Sequence, residues 1–350
     1  MIALAYIGII LAAIIVIFAI ELLIACLYPN VSVQKQPFKK RARPQKAGTV
    51  KSSSRKDISF EVDGTSISAW LYLPKNLSSP VPCIVMGHGL GGIKKMAMDS
   101  YAVRFQEAGM AVLAFDYRHL GESDGQPRQL IWIPYQLQDY AAAIEYARGL
   151  KEINPDKTAL WGTSLSGGHV VVTAASDSKI ACVSAQCPLL DGMAGSDEAL
   201  HRVGIKYIFR MAGHGQRDLV RSWLGLSPHK IPLVGRPGTV AHIADTDAWN
   251  TFEELAPDDF VNEVCARIVI RIDKYRPIKY VNKIRCPVLI QACDHDFALP
   301  LSVVEKVADR LGKMAEVIHY PIGHFDIYRG DNFETAVNDQ IVFFKKHLLS

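Results

Sequence analysis

Three kinds of hydrophobic patterning follow one another along the chain. From Ile2 to Ile20 the apolar positions run without a break, Glu21 interrupts them, and "LLIACLY" continues to Tyr28. About 20 apolar residues cross a bilayer core as a helix. The pattern therefore predicts a transmembrane anchor over 1–28, ended by Pro29-Asn30. From Ile58 onward, short apolar runs alternate with amphipathic stretches. "ISFEVDGTSISAWLYLP" predicts a hairpin turning at Asp63-Gly64. "VPCIVMG", "MAVLAFDYR", "TALWG" and "KIACVSAQC" read as buried strands. Between them, "MAMDSYAVRFQEAG", "IPYQLQDYAAAIEYARGL" and "SGGHVVVTAAS" carry the three-and-four spacing of helices. The third regime runs from about Asp191 to Lys283, where no clean alternation survives and pieces such as "EALHRVGIKYIFRMAG" and "FVNEVCARIVIRI" look partly helical. The rhythm returns with "CPVLIQACD", "SVVEKVADRLG", "AEVIHYP" and a last helix near Asn332 to Leu348.

Strands alternating with helices predict an α/β fold with a mostly parallel sheet flanked by helices. A stretch as long as 191–283 is too long for a plain loop and predicts an inserted lid. No internal repeat is present.

Charge changes this picture in one place. The 350 residues are 49% hydrophobic and 21% charged, with a net charge of +4. Nine Lys or Arg, and no acid, fall between Lys35 and Lys56. This predicts a basic linker over 29–56 and a single body over 57–350. The near-neutral remainder speaks against a nucleic-acid surface. No basic residue precedes the apolar helix and nine follow it, so the positive-inside rule puts the body in the cytoplasm as a single-pass membrane protein. The basic stretch also suits anionic lipid headgroups. A rival reading takes "LIAC", Leu23 to Cys26, as a lipoprotein cleavage box that would export the body; the missing basic start argues against it. Cys83, Cys182, Cys286 and Cys293 lie in strand-like runs without metal spacing. They read as buried thiols in a reducing compartment, with no metal site.

The candidate chemistry begins at "WGTSLSGGH", Trp161 to His169. A strand-to-helix turn of the form G-x-S-x-G exposes a serine at the end of a sheet. Gly162, Ser164 and Ser166 fit it with Ser in the last glycine position, so Ser164 is the central nucleophile and Ser166 a small flanking residue. A phosphate loop would need Lys and Ser/Thr after Gly167, where Gly168-His169 stand. In "VPCIVMGHGLGG", Gly87, Gly89 and Gly92 match a dinucleotide glycine pattern, the basis of a distant alternative as a nicotinamide-dependent oxidoreductase. The preferred reading is an oxyanion loop in which the Leu90 N–H pairs with the Leu165 N–H, each worth about 3 kcal/mol in the transition state. "QACDHDFALP" supplies Asp294 and Asp296 after one strand, and "YPIGHFDIY" supplies His324 after the next. The order Ser…Asp…His and the position at strand C-terminal ends fit a hydrolase triad.

On "GHGLGG", "FDYRHLGESDG", "LWGTSLSGGH", "DHDFALP" and "GHFDIY", the sequence resembles the α/β-hydrolase superfamily, in the branch of dienelactone-hydrolase-like and X-Pro-dipeptidyl-peptidase-like esterases. The resemblance covers Ile58 to Leu349. It implies the α/β-hydrolase fold and a triad of Ser164, His324 and Asp296, the acid standing four residues before Pro300. No cofactor is implied. It implies a small-molecule acyl substrate and ester hydrolysis; an amidase or peptidase, thioesterase or acyltransferase could use the same residues. Dienelactone hydrolase attacks with cysteine, so its substrate does not carry over. The Ile, Val, Phe and Trp of the lid leave two readings open: they are the lid's own core, or they suit a neutral apolar substrate.

Overall fold

The computed structural model describes residues 2–27, 55–75, 79–297 and 299–349. Most of the expected linker thus lies outside the described residues. Helix α1 (Ile2–Leu27) contains Ala5–Ile24, whose mean hydropathy is 3.1 and whose side chains are unburied. By length and composition it is able to cross a membrane; an N-terminal signal sequence has the same character.

Strands β1 (Arg55–Val62) and β2 (Thr65–Tyr72) form the expected hairpin. Asp63 and Gly64 both take positive φ, 49° and 74°, as a two-residue turn between twisted strands requires. One boundary needs correction: β1 begins at Arg55, inside the stretch assigned to the linker. Arg55 is drawn into the ladder opposite Tyr72, and its guanidinium lies 4.3 Å from the centre of the Trp70 ring.

The chain continues through β3 (Val81–Gly87), α2 (Met98–Glu107), β4 (Ala111–Phe115), α3 (Ile133–Arg148), β5 (Ile153–Thr163), α4 (Leu165–Ser176) and β6 (Ile180–Gln186). After an insert come β7 (Val288–Cys293), α8 (Leu301–Leu311), β8 (Ala315–Tyr320) and α9 (Gly330–Leu348). The sheet order is β1-β2-β4-β3-β5-β6-β7-β8. β2 runs antiparallel to both its neighbours, and every later pairing is parallel. This is the α/β-hydrolase fold.

Alternation along the strands sorts the core into two layers. Cys83 and Val85 join Tyr140, Ile144, Val170 and Val171 of α3 and α4 on one face. Ile84 and Met86 join Tyr101 and Phe105 of α2 and Phe343 and Phe344 of α9 on the other. Both faces are covered, which is why these strands read as unbroken apolar runs. Each fully buried large side chain contributes about 1.5–3 kcal/mol.

The insert between β6 and β7 is built differently. It holds α5 (Gly192–Val203), α6 (Ile205–Trp223) and α7 (Thr246–Leu255), two-residue strand pairs, and a run of 3-10 turns from Ala266 to Lys283. Gly204, at φ 78°, breaks what reads in sequence as one helical run. Only part of "FVNEVCARIVIRI" is helical, the 3-10 turn Ala266–Ile270. Arg267 binds the fully buried Asp218 of α6 at 2.6 Å and ties the two segments together.

Candidate active site

Residues following β3, β5, β7 and β8 line one cavity of about 530 Å³, and the insert supplies its opposite wall. Ser164 sits between β5 and α4 with φ 56° and ψ −117°. A non-glycine residue in that region carries about 1–3 kcal/mol of strain. The small neighbours are enforced by contact. A Cβ on Gly162 would lie 2.1 Å from the Ser166 carbonyl oxygen, and one on Gly167 would lie 2.6 Å from Pro188. A Cβ on Gly89 would come within 3.1 Å of the Ser164 Cβ, so the loop after β3 closes directly over the serine.

The two serines are distinguished by their bonding. Ser166 is fully buried; its hydroxyl lies 2.6 Å from the Tyr117 hydroxyl and donates to the His88 carbonyl. The serine in the position usual for glycine therefore clasps the β3 loop to the turn. Ser164 Oγ makes no hydrogen bond among the described residues and lines the cavity.

His324 follows β8 and is 6% exposed. Its Nδ1 lies 2.5 Å from Asp296 Oδ2, and the other Asp296 oxygen accepts the Leu299 N–H at 3.1 Å. Burial alone pushes the imidazole pKa down; the Asp296 carboxylate, with Cys187 behind it, outweighs that and raises it to about 9. Asp294 points elsewhere, with Oδ1 2.8 Å from Nδ1 of the exposed His319. His324 Nε2 and Ser164 Oγ share the cavity and are not hydrogen-bonded to each other in this structure. Such bonds are often long in unliganded enzymes and tighten on the reacting complex.

Leu90 and Leu165 both line the cavity, and their backbone N–H groups donate to no acceptor among the described residues. Leu165 is the first residue of α4, where an N–H has no partner within the helix. The glycine run after β3 makes no dinucleotide cradle. A Cβ on Gly87 would lie 2.4 Å from the Tyr117 hydroxyl, and α2 begins only at Met98. A pyrophosphate needs open glycine backbone leading straight into a helix N-terminus.

Sequence reasoning missed several supports. Thr163 Oγ1 lies 2.5 Å from the Tyr328 hydroxyl, which joins the serine turn to the histidine loop. Cys187, at φ 33°, lies beneath the same two hydroxyls, each 3.6 Å from its sulfur. His88 is buried, with Nδ1 2.9 Å from the Gly89 carbonyl and its ring edge-on to Tyr117. Tyr328 and His88 stand inside the motifs "GHFDIY" and "GHGLGG", but nothing local marks what they touch. His169, which closes the opening motif, bonds Tyr275 and Gln136 in the core. Among the described residues, no cluster of three or more metal-ligating side chains is present.

Comparison with known proteins adds four findings. Residues 63–204 match the X-Pro dipeptidyl-peptidase (S15) family. The quorum-quenching protein AidA of Acinetobacter baumannii (strain MDR-ZJ06) is 40% identical over 292 residues, covering 83% of this chain and 94% of that protein. The polyketide transferase grgF of Penicillium sp is 24% identical over 306 residues, covering 86% of this chain and 99% of that protein. The crystal structure of the α/β hydrolase GrgF from Penicillium superposes with a TM-score of 0.71 at 24% identity, over 85% of this chain and 99% of that one.

Proposed function

The chain belongs to the α/β hydrolases, in one family with its Acinetobacter relative, and on that footing we propose that it is a membrane-anchored serine hydrolase of carboxylic esters. Ser164 Oγ attacks the ester carbonyl and His324 Nε2 takes its proton. The tetrahedral oxyanion lies against the Leu90 and Leu165 N–H groups. The carbonyl–oxygen bond to the alcohol then breaks, and the alcohol leaves with the proton from His324. Water, deprotonated by His324, attacks the acyl-enzyme and releases the carboxylic acid and Ser164. Asp296 fixes the imidazole tautomer and stabilises the imidazolium.

The observation that carries this reading is the 2.5 Å contact of buried Asp296 with His324, at a cavity His324 shares with the strained Ser164. An apolar acyl group suits the cavity. Arg202 and Asp273 are the charged residues lining it apart from its histidines, and Arg202 turns its cation to Asp245 and to the Phe297 ring. α1 is the anchor, with the body on the cytoplasmic side and the basic stretch after it against lipid. A fluorophosphonate probe labels the protein, and Ser164→Ala abolishes the labelling. Labelling that persists in that variant removes the assignment.

Acyl transfer is a second reading, favoured by the Penicillium relative named a polyketide transferase and by the apolar wall that would shield an acyl-enzyme from water. Adding an alcohol or thiol acceptor separates the two: a transferase diverts the acyl group to it, and a hydrolase continues to yield the free acid. The Acinetobacter relative's quorum quenching is extended here as a candidate role, read as loss of signal in a quorum-reporter strain.

A further inference from the structure

Helix α6 has two apolar sides, and only one of them faces the cavity. Tyr207, Ile208 and Met211 line the cavity from within, and Ala212, at the edge of the outer stripe, reaches it too. On the outside, Ile205 is 52% exposed, Phe209 71% and Trp223 71%, and Leu224 follows at 51%. The spacing of 205, 209, 216 and 223 puts these positions on one stripe of the helix, with Gln216 among them. Lys206, Arg210 and Arg217 form a second stripe beside it. The one acid of the helix, Asp218, is fully buried and bound to Arg267.

An aromatic and aliphatic stripe flanked by basic residues is the composition of a helix lying in a membrane interface. The location agrees, since α1, long and apolar enough to span a bilayer, touches α6. Ile205, Phe209 and Trp223 remain exposed beside it.

We propose that the outer face of α6 rests on an anionic lipid bilayer, seating Phe209 and Trp223 among the acyl chains and Lys206 and Arg210 among the headgroups. The cavity wall is then one helix thick toward the bilayer, and the substrate class is an apolar acyl compound that enters from the lipid. The agreement in location rests on the reading of α1 as an anchor, the composition of the α6 face stands without it, and the substrate route rests on the hydrolase reading.

The test uses the full chain reconstituted in phosphatidylglycerol–phosphatidylcholine vesicles with brominated acyl chains, read by tryptophan fluorescence. The signal of Trp223 is the difference between wild type and Trp223→Phe; α1 contains no tryptophan. Bromine quenches Trp223, and the double variant Lys206→Glu/Arg210→Glu loses that quenching. The basis is a gain in surface affinity of roughly fivefold per basic residue. Vesicles of phosphatidylcholine alone quench less; equal quenching there overturns the requirement for anionic lipid.

Alkaline carbonate extraction separates the two readings. Retention in the membrane without quenching of Trp223 overturns the docking and leaves the anchor. Quenching in a protein that carbonate releases keeps the docking and removes the anchor; release without quenching rejects both. A short water-soluble ester is hydrolysed equally by wild type and double variant, while a long-chain ester dissolved in the vesicles is hydrolysed more slowly by the variant. Equal rates on the vesicle ester overturn the lipid route. No hydrolysis of either ester by wild type rejects the hydrolase reading, and the quenching result is unaffected.

Discussion

The rim of the sheet and the insert that roofs it are held by different physics. At the rim, Ser164, Asp296 and His324 hang from strand ends in a continuous parallel ladder, and the neighbouring residues of β5 and β7 are almost fully buried. Their positions are fixed by backbone hydrogen bonds, a strained turn and a steric seal of glycines. The insert has two-residue strands, 3-10 turns and a helix that turns exposed aromatic residues outward. Chemistry that needs sub-ångström placement sits on the first kind of structure. On the proposed hydrolase reading, the shape that selects a substrate sits on the second, outside the ladder.

Substitutions at the rim break this contrast most severely. Ser164→Ala lowers kcat by on the order of 10^4-fold or more, measured by ester hydrolysis. Circular dichroism melting stays close to wild type, because alanine keeps the same strained backbone. Asp296→Asn comes next, with a loss of about 10^4-fold at most, since the imidazole loses the carboxylate that sets its tautomer. Asp294→Asn is the control; its contact with His319 is at the surface, where even a fully charged pair contributes about 0–1 kcal/mol. An equal loss in both variants would assign the acid differently.

Ile208→Trp sharpens the other side of the comparison. It shortens the cavity from the α6 wall and lowers kcat/KM for long acyl esters by roughly 10- to 100-fold relative to short ones. A uniform loss at every chain length would mean that α6 supports the rim instead of shaping the substrate.

The smallest effect is the slope of the pH profile. In the proposed mechanism hydrolysis needs neutral His324, whose pKa is raised to about 9, so kcat/KM is expected to fall by about tenfold for each pH unit below that. The sign for stability is opposite. A folded-state pKa raised above 6.5 gives stability that is fully present below 6.5 and lost as pH rises through about 9. Melting curves across that window decrease with pH while activity increases; parallel trends would contradict the assigned shift. In Asp296→Asn the limb moves to lower pH, because the carboxylate that raised it is gone.

How much of this was legible depended on how local the cause was. The hairpin at Asp63-Gly64, the alternation of strands and helices and the small residues around Ser164 each follow from a few adjacent residues. The break at Gly204 is equally local, yet it is masked by apolar spacing that continues on both sides. Arg55 joined β1 because of Trp70 and Tyr72, which no reading of the basic stretch alone reveals.

By itself the sequence determined the fold class and the apolar N-terminal helix, and it supplied the residues proposed to carry acyl chemistry, because periodicity, length and turn chemistry act over short spans of chain. Tertiary structure brought Asp296, the acid the resemblance implied, to His324 and gave Asp294 a different partner. Asp294 and Asp296 follow the same strand, but one turns outward to His319 and the other inward to His324. It also gave Ser166 its place as a clasp, through bonds to residues 49 and 78 positions away. Such pairings depend on which strand ends become neighbours in the sheet, and that order is set by the packing of the whole core.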